Sequence, residues 1–169
     1  MGLSRLIPWV TGSRYYHCGL YEGGGWVLEA RPQGVVRRNI INHPKVVVRV
    51  IPMPVEQGEA AVKYARSCVG KNYDILDALF IMLRHQFPRV PIKYSNHESL
   101  VCSELVVLAW RKAGLDLFPD TDAAAVIPGQ FQAFLPVDSY DTTLKLRDNR
   151  HNIAAEVSFN ENDPSSLEP

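Results

Sequence analysis

An imidazole, a carboxylate and a thiol are the side chains here whose combination does chemistry, and the local pattern singles out His17, Glu29 and Cys102. Two β-compatible runs, Tyr15–Tyr21 and Trp26–Ala30, flank the turn-forming stretch Glu22-Gly23-Gly24-Gly25. Strand alternation puts Tyr16, Cys18 and Leu20 on one face and His17, Gly19 and Tyr21 on the other. A loop of Gly23 to Gly25 sets Glu22 opposite Trp26 and Gly19 opposite Glu29. His17 and Glu29 then become diagonal neighbours on one face, ~7–8 Å apart at the backbone. A loop of even length would instead move Glu29 among Tyr16, Cys18, Leu20, Trp26 and Leu28, where an unpaired carboxylate is costly. The pattern therefore favours an imidazole paired with a carboxylate, which fixes the tautomer and orientation of a general base.

Cys102 is the matching nucleophile. It lies in Glu98-Ser99-Leu100-Val101-Cys102-Ser103-Glu104-Leu105, at the front of a helix expected over Leu100–Ala113. With Ser99 as N-cap, Cys102 occupies the third helical position, where unpaired backbone N–H groups and the macrodipole favour thiolate over thiol. The same N–H groups suit an oxyanion. Ser95-x-x-Glu98 is a competing capping box that would start the helix a turn earlier and weaken this effect. Glu104 reads as a first-turn acid facing the helix dipole. Tyr21 shares the face of His17 and is a candidate substrate-groove residue, although strand aromatics usually pack.

The remaining thiols read as core: Cys18 by alternation, and Cys68 by its place on an apolar helical stripe. Three cysteines are too few and too odd for a disulfide framework. Neither C-x-x-C nor H-x-x-x-H occurs, so no metal or other cofactor is expected. His43, His85, His97 and His151 read as turn, surface or capping residues, with His97 the substitute base should His17 point away.

The elements that must position this set read as α+β. Strand candidates continue with Gly34–Asn39, Lys45–Ile51, Thr142–Leu146 and Ile153–Phe159; helices are expected over Val55–Val69, stopped by Gly70, and over Asp74–Phe87, stopped by Pro88. Leu117-Phe118-Pro119 and Ile127-Pro128-Gly129 read as loops or single turns. The polar segment 160–169 reads as a disordered tail after one domain over 1–159.

His17-x-Gly19-Leu20-Tyr21, Val27-Leu28-Glu29-Ala30 and Val101-Cys102-Ser103-Glu104-Leu105-Val106, in that order, resemble the permuted NlpC/P60 papain-like hydrolases (the YiiX/YaeF-like group). Gly70-Lys71-Asn72-Tyr73-Asp74 and Ile127-Pro128-Gly129 are similar to further segments of that family. The resemblance spans roughly Leu3 to Leu135. It implies a circularly permuted papain-like fold, an antiparallel sheet packed against helices. It also implies Cys102 as nucleophile, His17 as base, Glu29 as the residue orienting the imidazole, and a thioester intermediate on an amide or isopeptide bond of a peptide or peptidoglycan-type substrate. Tyr16 departs from the small residue frequent before the family's histidine, which either narrows the site or fills the core.

Composition bounds the alternatives. The chain has 169 residues, 18 Lys+Arg against 18 Asp+Glu, and 46% hydrophobic content. Zero net charge argues against nonspecific nucleic-acid binding. No run reaches the ~20 apolar residues of a membrane span, and Met1–Val10 lacks the pattern of a signal peptide. Synthesis in the cytoplasm is expected, with export or delivery by a signal-independent route left open. Two other functions compete: acyl transfer or thioester hydrolysis on a lipid-type substrate with the same thiol, as in the related lecithin:retinol acyltransferase-like proteins, and nonenzymatic binding of peptides or amines.

Overall fold

β-Branched and aromatic residues alternating with small ones favour strands over residues 15–39. The computed structural model describes residues 15–41, 46–49, 53–73, 99–133 and 156–160. Within them lie β1 (Tyr15–Gly23), β2 (Trp26–Arg31), β3 (Gly34–Asn39) and β4 (Val46–Arg49). Helix α1 (Val55–Ser67), the short strands β5 (Asn72–Tyr73) and β6 (Ser99–Leu100), and helix α2 (Cys102–Lys112) follow. Two 3-10 turns, Ala123–Ala125 and Pro128–Ala133, precede β7 (Glu156–Asn160). The expected helix over Asp74–Phe87, the strand over Thr142–Leu146, His43, His85, His97, His151 and residues 161–169 lie outside the described residues. Asn160, assigned to the tail on sequence, closes β7.

A five-stranded sheet in the order β3-β2-β1-β7-β4 is antiparallel throughout, so the α+β reading holds. Leu20 faces Leu28 and Tyr21 faces Val27, the register expected from a three-glycine loop. The tip differs. Gly23, not Glu22, pairs with Trp26, and the extra residue is absorbed as an irregularity between Tyr21 and Gly23. Gly23, Gly24 and Gly25 all take positive φ, which lets the turn close at little steric cost. Glu22 is consequently freed from the ladder and is gripped instead by Arg37 and Arg66.

The core lies between one sheet face and the two helices. Cys18, Leu20, Leu28, Ala30 and Val35 meet Ala61, Val62, Ala65 and Cys68 from α1 and its C-cap, and Leu105, Val106, Ala109 and Trp110 from α2. Each fully buried Leu among them contributes ~1.5–3 kcal/mol. Phe131 packs edge-on against both Trp110 and Phe118, with ring centroids 5.5 Å apart in each pair, and so ties the last 3-10 turn to α2.

The expected start of the cysteine helix is corrected. Ser99 is not a cap: Ser99 and Leu100 pair in parallel with Asn72 and Tyr73. That ladder keeps the chain extended for two residues longer than the capping propensity of Ser99 suggests. Val101 becomes the N-cap and Cys102 the first helical residue, with the Val101 N–H donating to Glu104 Oε2 at 3.4 Å. The Gly70–Tyr73 segment thus steers the chain into Cys102. It is itself tied to β3, because Val35 donates to Lys71 O and accepts from Gly70 N, both at 2.9 Å.

Candidate active site

Glu29 sits in the middle of β2 and is 0% exposed. A carboxylate in such a place must be matched by donors and opposite charge. His17 Nε2–H donates to Glu29 Oε2 at 2.7 Å. Arg38, from β3, donates through Nε to Oε1 at 2.5 Å and through Nη2 to Oε2 at 3.3 Å. Arg31 Nη1 adds charge 3.6 Å from Oε1. Burial pushes the Glu29 carboxyl up, but the hydrogen bond and charge of His17, then those of Arg38, outweigh it and hold the group down to about 2. Glu29 is therefore an anion throughout the neutral range.

The space for this contact is made by Gly19. A Cβ there would meet Leu28 O at 2.9 Å, Val27 Cγ2 at 2.8 Å and Glu29 Cβ at 3.0 Å. Only a hydrogen at this position lets the Glu29 side chain cross diagonally to His17.

Because Nε2 is engaged by Glu29, Nδ1 is the ring nitrogen left to meet the Cys102 sulfur, with which His17 shares a hydrogen bond. Burial pulls the His17 pKa down. The charge and hydrogen bond of the Cys102 sulfur, followed by those of Glu29, override this and raise it to about 9. Cys102 moves the opposite way, to well below the ordinary thiol value. The hydrogen bond from the Cys18 thiol is the largest cause; burial opposes it, and the His17 charge and hydrogen bond and the Cys18 backbone N–H complete the effect. The position at the first residue of α2 adds the helix N-terminus to the same side of the balance. The pair is poised as thiolate and imidazolium.

The pairing of β1 with β7 is irregular between Tyr15 and His17 and regular from His17 to Leu20, so the irregularity falls at Tyr16 and re-aims its side chain. The Tyr16 ring stacks beside that of His17, with centroids 6.4 Å apart and planes 26° off parallel. The expected placement of Tyr16 on the core face is corrected accordingly.

The other side chains singled out on sequence divide clearly. Cys68 is buried against α1, as expected. Tyr21 is 1% exposed and its hydroxyl accepts from Gly25 N at 2.9 Å, so the structure places it inside, bracing the hairpin turn, rather than on an open groove. Among the described residues no cluster of His, Cys, Asp and Glu is arranged to hold a metal ion. No helix there is long and apolar enough to cross a membrane.

Three participants escaped sequence reasoning. Cys18 is core, as the alternation predicts, and it also helps to lower the Cys102 pKa. Tyr16 was shifted by a bulge that no residue type announces. Arg38 was legible in principle. The tight turn Pro32-Gln33 pairs Glu29 with Val36 and Val27 with Arg38, which puts Arg38 diagonal to Glu29 by the rule that pairs Glu29 with His17.

The floor of the site is held from behind. Ser103 Oγ donates to Val126 O at 2.5 Å, fastening the first turn of α2 to the chain after the first 3-10 turn. Ile127 N–H donates to Gln130 Oε1 at 2.8 Å, shaping the Ile127-Pro128-Gly129 turn. Compared with protein-family models, curated proteins and solved structures, the chain matches none.

Proposed function

We propose that the protein is a cysteine hydrolase that cleaves an amide or isopeptide bond, in a peptide or peptidoglycan-type substrate, on a permuted papain-like fold. The observation that carries this reading is the contact chain Cys102–His17–Glu29, with a buried anion at one end and a helix N-terminus at the other. Nucleophile, base and orienting group occur in the relation that nucleophilic catalysis by a thiol requires.

In this reading the Cys102 thiolate attacks the scissile carbonyl carbon, and the carbonyl π electrons move onto oxygen. Backbone N–H groups at the start of α2, which a helix cannot pair internally, are the donors proposed to stabilise the developing oxyanion. Collapse of the tetrahedral species breaks the C–N bond as the His17 imidazolium donates its Nδ1 proton to the leaving amine. Neutral His17 then takes a proton from water, whose oxygen attacks the thioester carbonyl and releases the acid. Glu29 keeps Nε2 protonated throughout, so the exchangeable proton is confined to Nδ1.

Intact-mass measurement of the full chain tests the reading. After incubation with a panel of peptide amides and isopeptides and an acid quench, an acyl adduct removable by hydroxylamine is expected on Cys102. It is absent from a folded Cys102→Ala variant. Iodoacetamide labels Cys102 faster than free cysteine at neutral pH. Labelling no faster than free cysteine, or an adduct formed only from a phospholipid with a labelled acyl chain, refutes amide hydrolysis; the second outcome assigns acyl transfer.

A further inference from the structure

Glu29 has one guanidinium beside it more than its own charge requires. Its Oε2 accepts from His17 Nε2 at 2.7 Å and from Arg38 Nη2 at 3.3 Å, and its Oε1 accepts from Arg38 Nε at 2.5 Å. Arg31 Nη1 stands 3.6 Å from Oε1, an ion-pair distance too long for a hydrogen bond. Among the described residues no hydrogen bond holds this guanidinium, and its side chain is 33% exposed beside the exposed turn Pro32-Gln33. The charges around it balance without it. His17 and Cys102 are neutral as a pair whichever of them holds the proton, and Glu29 offsets Arg38. Arg31 is therefore a surplus cation, half-buried, with donors to spare. Arginine presents its donors as a rigid fork that matches a carboxylate in two parallel hydrogen bonds.

In the proposed cleavage His17 hands its proton to the leaving amine, so the amine part of the substrate lies on the His17 side of the sulfur. From the His17 ring the polar groups run on through Glu29 to Arg31, away from the nucleophile. We propose that Arg31 is a subsite for a carboxylate on the amine part of the substrate, so that favoured substrates carry an acidic group on the leaving side of the scissile bond. The carboxylate pairs with Arg31 while His17 and Arg38 keep their hydrogen bonds to Glu29. Two sources supply such a group, a free C-terminus and an acidic side chain. Assignment to the leaving side rests on the hydrolase reading, whereas carboxylate binding rests only on the placement and charge of Arg31.

Peptides identical on the acyl side and ending, on the amine side, in a free acid, a C-terminal amide, or a C-terminal amide that carries a glutamate test this with the full chain. The wild type is expected to favour a carboxylate-bearing peptide over the neutral amide by ~10-fold, in KM rather than kcat, and the peptide favoured identifies the source of the carboxylate. Arg31→Gln, verified as folded by circular dichroism, brings the acid-to-amide ratio to about 1; Arg31→Lys keeps part of it, and added salt shrinks the wild-type ratio. A purely structural Arg31 would slow all three peptides alike and leave the ratio as it was, which overturns the proposal, as does equal cleavage of the three by the wild type. Calorimetric titration of the same peptides into folded Cys102→Ala reads binding without cleavage. Acid-selective binding there, lost when Arg31→Gln is added, refutes only the hydrolase if the wild type cleaves nothing. Equal binding of all three, or cleavage without acid preference, refutes only the subsite.

Discussion

Replacing Glu29 with glutamine keeps the shape of the side chain and removes its charge, which isolates what the buried anion does. In the folded protein the carboxylate accepts from His17 Nε2 and from Arg38, and faces Arg31. Glutamine places an NH2 donor where one acceptor oxygen stood, so one of these donors loses its partner and Arg38 keeps a half-buried charge without its counter-ion. The carboxyl is lowered from 4.5 to about 2. A group whose pKa falls on folding stabilises the native state above its unfolded pKa, and that stabilisation disappears as pH drops through the folded value. A shift of this size corresponds to ~3 kcal/mol at neutral pH, which agrees with the ~3–5 kcal/mol seen when a buried ion pair loses one member. Partial exposure of Arg38 and Arg31 screens the pairing and favours the lower figure. Urea unfolding followed by circular dichroism measures it. At neutral pH the variant is expected to be ~2–3 kcal/mol less stable than wild type, with the gap narrowing as pH falls from ~4.5 toward ~2. A difference below ~0.5 kcal/mol at neutral pH, or one that does not change with pH, refutes the account of Glu29 as a paired buried anion.

The thiolate–imidazolium pair makes alkylation and hydrolysis diverge at high pH. Iodoacetamide labelling of Cys102 needs only the thiolate and persists above pH 9, whereas turnover falls as His17 loses its proton through about 9; parallel pH profiles would show that one group controls both. Arg38→Gln removes the bidentate partner of Glu29 and is expected to slow Cys102 labelling at neutral pH and shift the high-pH limb of turnover downward; Arg38→Lys restores part of each. Equal profiles for wild type and both variants would exclude Arg38 from positioning Glu29. Gly19→Ala drives a Cβ into Leu28 O, which is backbone and cannot rotate away, and is expected to cost ~1–3 kcal/mol in urea unfolding and to slow Cys102 labelling. Wild-type stability would show that the strand pair yields freely at this point.

The hairpin was legible because its signals are local. Alternation from Tyr16 to Leu20, the glycine run, and the cost of an unpaired Glu29 in a core combine to set one register, and Leu20 opposite Leu28 is that register. The cysteine helix was legible as an element but not at its first residue. Ser99 has the better capping side chain, yet the ladder to Asn72–Tyr73, formed by residues 27 positions away in the sequence, keeps Ser99 and Leu100 extended. Capping propensity is worth about a kilocalorie per mole, less than a pair of buried strand contacts, and tertiary pairing decides. Tyr16 was misplaced for a similar reason: the bulge beside His17 arises against β7, at the other end of the chain, and no local pattern reports it.

The helix start one turn-fraction later than expected changes what surrounds the sulfur. As the first helical residue, Cys102 stands at the very end of α2 rather than inside its first turn, so its side chain is free to lean toward β1. There it meets donors on two sides, the His17 ring and the Cys18 thiol with its backbone N–H. A thiolate needs such donors because burial alone would protonate it. Glu29 supplies none of them directly, and held as an anion by His17 and Arg38 it does not take up the His17 proton. In the proposed reaction the negative charge of Cys102 passes to the carbonyl oxygen, and the proton the leaving amine needs comes from His17 Nδ1 alone. This limits the proton path of the proposed reaction to sulfur, ring and substrate.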